Sequence, residues 1–126
     1  MRGKRILIAG YEKEQHRALA LALSGAGFYV VVARGTQSAA LELALHRPDL
    51  LILELGQGEP ARCEVLAQIR SFSAVPVIAL VDPDHEDAAV AGLKWGADQI
   101  MTEPPNLAEL QARVRALLRR CQPPAV

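Results

Sequence analysis

Apolar residues along this chain fall in short unbroken runs, and between those runs they recur at three- and four-residue spacing. Arg5-Ile6-Leu7-Ile8-Ala9, stopped by Gly10, reads as a first strand. Phe28-Tyr29-Val30-Val31-Val32-Ala33 and Pro48-Asp49-Leu50-Leu51-Ile52-Leu53-Glu54-Leu55 read as a second and a third. Val75-Pro76-Val77-Ile78-Ala79-Leu80-Val81 is a fourth, with Pro76 tolerable near its start, and Gln99-Ile100-Met101 a short fifth.

The stretches between them carry helical spacing. From about Glu12 to Ser24 the apolar set is Ala18, Leu19, Ala22 and Leu23, ended by Gly25 and Gly27. Thr36 or Ser38 can cap a second helix with Ala40, Leu41, Ala44 and Leu45 on one face, broken by Pro48. A third, from about Ala61 to Arg70, shows Val65, Leu66 and Ile69. Asp84 can cap a fourth that runs to about Trp95, and Pro104-Pro105-Asn106 leads into a last amphipathic helix through Arg120. Strand then helix, five times over, predicts an α/β fold: a doubly wound, five-stranded parallel sheet of flavodoxin-like order 2-1-3-4-5. Runs that are apolar at every position, rather than alternating, support burial on both faces.

Composition narrows the function. Lys+Arg and Asp+Glu are each 14, so the net charge is zero and gives no long-range field for nucleic acid or anionic membrane. No run approaches the ~20 apolar residues of a membrane span, and no signal peptide is visible. Cys63 and Cys121 form no metal or redox spacing, so a cytoplasmic chain is expected.

In a sheet of this order, sites form beyond the C-terminal strand ends at the switch point. There the topology brings Gly10, Tyr11, Glu12, Glu54, Val81 and Glu103. Three carboxylates (Glu12, Glu54 and Glu103) are enough for a cation on paper. Solvation, or pairing with Lys13, is the expectation instead, and no metal or cofactor is assigned. Tyr11 either plugs the crevice or is a plain surface aromatic. His16, His46 and Cys63 show no mutual spacing of a catalytic set and are expected to be solvated or packed. Trp95 is either a helix-end packing residue or part of a partner surface.

Taken in order, Arg5-Ile6-Leu7-Ile8, Pro48-Asp49-Leu50, Val75-Pro76-Val77-Ile78, Gly96-Ala97-Asp98 and Thr102-Glu103-Pro104 resemble response-regulator receiver domains over nearly the whole chain. The 22 positions from Val81 to Glu103 agree with that family's spacing between its hydroxyl and lysine. The resemblance implies a phosphoacceptor Asp, and Glu54 stands in its place. The family's acidic pair that holds Mg²⁺ falls on Gly10 and Tyr11, with only the neighbouring Glu12 kept. Its hydroxyl residue falls on Val81, its lysine on Glu103 and its aromatic switch on Ile100. Phosphoryl transfer rests on positioning and on cations that stabilise developing charge. A pseudo-receiver without phosphotransfer or enzyme activity is therefore expected. Glu54 as a built-in phosphate mimic is the less favoured reading, because Val81 and Ile100 cannot supply its partners; a carboxylate partly solvated at the crevice mouth is preferred.

The run Glu109 to Arg120 resembles the final helix of receivers in OmpR-type transcription factors, which pair through the fourth helix, fifth strand and fifth helix. Asp98, Glu109 and Arg113 match that charge pattern, and Lys94 and Arg115 lie on the same face. Ala89 and Gln99 lack the partner charges, and Lys94 stands where an acid is common. The resemblance implies a protein partner or homodimer through this face, and DNA contact only through a domain not in these 126 residues. Residues 1–121 form the receiver-like domain and 122–126 a tail or linker start. A small-ligand sensor that uses Tyr11, Glu54, Val81 and Glu103, or a stand-alone adaptor, stays open as an alternative.

Overall fold

The structure, a computed structural model, describes residues 3–10 and 13–120, with Lys13 by its backbone alone. Five parallel strands lie in the order β2-β1-β3-β4-β5: β1 (Arg5–Gly10), β2 (Tyr29–Arg34), β3 (Leu50–Gly56), β4 (Val77–Val81) and β5 (Gln99–Thr102). Helices α1 (Lys13–Gly25), α2 (Ala39–His46), α3 (Pro60–Arg70), α4 (Glu86–Trp95) and α5 (Leu107–Arg120) connect and follow them. This is the order the sequence predicts.

Strand periodicity sorts the core into two layers. Even-numbered Ile6, Ile8, Leu50, Ile52, Ile78 and Leu80 pack with Leu19 and Leu23 of α1 and Leu110 and Val114 of α5. Odd-numbered Leu7, Leu51, Leu53, Leu55, Val77 and Ala79 face α2, α3 and α4 through Leu43, Leu66, Ile69 and Ala88. All seven residues of β3 are buried, as expected of a central strand covered on both faces. Its register against β4 shifts between Glu54 and Gly56, a bulge that bends the strand's last residues.

Two expected helix faces are corrected. In α2 the buried residues are Ala39, Ala40 and Leu43, whereas Leu41 and Leu45 are exposed. The helix follows a 3₁₀ turn over Thr36–Ser38 and is apolar on both sides, so spacing alone does not fix its phase. In α1 the inward stripe is His16, Leu19 and Leu23, and Ala18 is exposed. Caps differ as well. Ser38 makes no side-chain cap; its Oγ donates back to the Arg34 and Gly35 carbonyls. Asp84 lies before α4, whose N-cap is His85. Asn106 does cap α5, its Oδ1 accepting the Glu109 N–H at 2.9 Å.

Candidate functional site

Glu54 is the third even-numbered residue of β3 and points to the α1 side, after Leu50 and Ile52. It is fully buried, not partly solvated at a crevice mouth as the sequence suggests. Its Oε1 meets Nε2 of His16, itself only 6% exposed. A carboxylate and an imidazole meet this way only with a proton between them, and burial makes each dependent on the other. The Thr36 hydroxyl donates to the Glu54 carbonyl at 3.1 Å, holding the bulged end of β3 against the turn before α2.

Gly10 completes this arrangement. A Cβ there would overlap Glu54 Cδ and Oε1 and lie 2.7 Å from Cγ. The extra methylene of Glu54 thus occupies the volume a side chain at position 10 would need. Gly10 and Glu54 are one packing solution.

Around the pair the expected site residues separate. Val81 is buried at the end of β4 and takes part only through its backbone, accepting the Glu103 N–H at 2.8 Å. Ile100 packs into the core at α4, where a Cβ on Gly92 would stand 2.7 Å from its Cδ1. Glu103 is half-buried, and its carboxyl is pushed up to about 7. Burial contributes most, then the charge of Glu54; the Gln15 amide opposes the rise, Asp82 adds to it, and Arg62 again opposes it. Tyr11 and Glu12 lie outside the described residues. Among the described residues, no three His, Cys, Asp or Glu gather as cation ligands. No helix among the described residues is long and apolar enough to cross a membrane.

On α4, β5 and α5, Lys94 and Arg115 are exposed, as are Val90 and Leu93 of α4. Arg113 bonds Glu109 through Nε and Nη2 at 3.0 and 2.9 Å, and its Nη1 donates to Gln99 Oε1 at 2.9 Å. Asp98 is engaged within the chain: its Oδ2 accepts the Val77 N–H at 2.7 Å and Arg70 Nη2 at 3.0 Å. Arg70 also holds the Gly96 and Val75 carbonyls, fixing the turn from α4 into β5. Trp95 is 39% exposed at the end of α4. Cys63 is buried with its thiol pushed up by burial and then by Glu59, which leaves little reactive thiolate.

The profile of the response regulator receiver domain matches residues 6–115. The chain belongs to the response-regulator receiver family. This receiver is 41% identical over 115 residues to the KDP operon transcriptional regulatory protein KdpE of Escherichia coli, covering 91% of this chain and 51% of that protein. Against the phosphate regulon transcriptional regulatory protein PhoB of Pseudomonas aeruginosa it is 33% identical over 126 residues, covering 98% and 55%. The chain thus spans about half the length of the curated relatives it matches. Among solved structures, the receiver domain of the TMAO respiratory system regulator TorR superposes with a TM-score of 0.85 at 24% identity, covering 94% of this chain and 99% of that one. An orphan response regulator of Helicobacter pylori gives 0.81 at 20%, covering 94% and 100%. These likenesses carry the fold.

Sequence reasoning misses His16. A signal was present: His16 precedes Leu19 by three residues and Leu23 by seven, on the stripe that packs inward, and the parity of β3 sends Glu54 to the same side.

Proposed function

We propose that this receiver is a phosphorylation-independent, non-enzymatic signalling module, the N-terminal part of a cytoplasmic two-component-type transcription regulator. The observation that carries the reading is the His16–Glu54 pair. The only carboxylate at the phosphoacceptor position is buried and bonded to an imidazole, so an in-line phosphoryl donor cannot reach it. The surroundings argue the same way. Val81 offers no hydroxyl, Gly10 no carboxylate for a cation, and Glu103 places a carboxyl group, not a cation, where the family has a lysine. A carboxylate used in this way is equally unavailable to a small ligand, which favours an interaction module over a crevice sensor. The transcriptional regulators KdpE and PhoB support the wider assignment, with DNA contact left to another domain.

Output then runs through a surface that needs no switching. Val90 and Leu93 are exposed on α4 and the Glu109–Arg113 pair lies on α5, the two helices covering opposite faces of the sheet whose edge strand is β5, an arrangement that suits an apolar centre with a charged rim. This suits a second copy or a protein partner through α4, β5 and α5. With most of the rim charges already paired within the chain, apolar contact supplies most of the affinity. Sedimentation equilibrium tests this: association of the full-length protein should be the same with and without beryllofluoride and Mg²⁺, and Leu93→Glu should weaken it about tenfold or more. Association that appears only with beryllofluoride would overturn the reading.

A further inference from the structure

The two edges of the sheet are built differently. β5 is a four-residue strand with Gln99 and Thr102 at its ends, and Pro104 and Pro105 follow it. Short length, polar residues and proline all blunt an edge against further pairing. β2 instead runs six residues as Tyr29-Val30-Val31-Val32-Ala33-Arg34 and keeps an unbroken register with β1. Its first five positions carry neither charge nor proline. Among the described residues, no strand pairs with its outer side. We propose that this edge pairs with the same edge of a second copy, antiparallel about a twofold axis at Val32, so that two sheets become one.

The direction of the backbone groups fixes the register. The Tyr29 N–H donates to the Lys4 carbonyl at 2.9 Å, and the Gly35 N–H to the Gly10 carbonyl at 2.8 Å. In a parallel ladder alternate residues turn their backbone groups the same way, so Tyr29, Val31 and Ala33 turn theirs to β1. Val30, Val32 and Arg34 turn theirs outward. An antiparallel partner exchanges both hydrogen bonds only between residues of this outward set. Centring on Val32 meets that condition throughout: Val32 faces Val32 of the second copy, and Val30 faces Arg34. Residues of like parity then stand opposite each other, so each core layer of one copy continues into the same layer of the other.

What the second copy brings fits what the edge leaves open. α1 packs on β2 from one side, but α2 sits over β1 more than over β2. Tyr29 is thus 66% exposed, beside a hollow shared with Arg5, Val31 and His46. In the register centred on Val32, Tyr29 falls opposite Gly35 of the second copy, where a Cβ would meet nothing within 4 Å. A ring over a bare glycine is a favourable cross-strand pair. Val31 falls opposite Ala33, and Val32, 44% exposed, covers its own counterpart. Arg34 meets Val30, so no like charges stand opposite each other. The chain has no net charge, so two copies approach without long-range repulsion. β2 and β5 are opposite edges of the sheet, so this contact leaves the α4, β5 and α5 surface free and stands independently of the proposed function.

Amide exchange and a pair of opposite charges test it. In the full-length protein, the Val30, Val32 and Arg34 amides should become protected as concentration rises from low micromolar to millimolar, while Val31 and Ala33 stay protected throughout. Val32→Glu and Val32→Lys each set like charges face to face on the axis. In a Leu93→Glu background, which silences any α4 contribution, sedimentation should show each variant associating about fivefold or more weakly. An equal mixture of the two should regain most of that loss. Should either variant fail to fold, the exchange pattern of the unaltered protein decides. Exchange at Val30, Val32 and Arg34 that ignores concentration overturns the proposal, and the edge is then open or serves a strand of a different protein. A mixture that associates no better than each variant alone also overturns it, because a twofold axis at Val32 must set Glu against Lys.

Discussion

His16→Ala should lower stability by about 3 kcal/mol and the melting temperature by roughly 10 °C at neutral pH. The substitution removes the imidazole from a fully buried carboxylate and leaves a cavity beneath the first turn of α1. Protonation of Glu54 limits the loss, which is why the figure lies at the low end for a broken buried pair. Thermal and urea denaturation check it. If Glu54 were instead a solvated carboxylate or a free phosphate mimic, His16→Ala would be a surface change worth about 0.5 kcal/mol or less. The two outcomes are well separated.

Gly10→Asp should be the other damaging change, although the resemblance in sequence puts an acid at that position. Its Cβ would overlap the Glu54 carboxyl group, and its charge would enter a buried site that already holds an anion. Overpacking and like-charge repulsion together should cost about 2–4 kcal/mol, with no gain in Mg²⁺ affinity. Glu54→Asp shortens the obstructing side chain, so the double variant should be less damaged than the sum of the singles. A coupling energy of about 1 kcal/mol or more in a denaturation cycle is expected. Strict additivity would mean that positions 10 and 54 are independent losses, not one packing solution.

Much of this could be read from the sequence, for physical reasons that differ by residue. The sheet order followed from unbroken apolar runs such as Leu50–Leu53, which only a doubly covered strand tolerates. The places of Gly10, Val81 and Ile100 in the strands, and of Glu103 after β5, are legible because the motifs around them fix their positions in the fold. The faces of α2 were not visible, since Leu41 and Leu43 are equally apolar and only the preceding 3₁₀ turn sets the phase. The burial of Glu54 was hidden for a related reason: a carboxylate at a strand end reads as solvated unless its partner is known. That partner lies 38 residues away on another element. Asp98 shows the converse. Its charge fits an intermolecular pattern in sequence, yet Arg70 and the Val77 amide hold it within the chain. Tyr11, Glu12 and the 122–126 tail lie outside the described residues, so their expected roles stand on the sequence.

The central claim is that the carboxylate at the phosphoacceptor position is held by His16 and takes no phosphoryl group. Intact-mass spectrometry after incubation with acetyl phosphate and Mg²⁺, beside an active receiver as control, tests it most directly. The protein should keep its unmodified mass while the control gains a phosphoryl group. An acid-stable, hydroxylamine-labile adduct mapped to Glu54 would contradict the account.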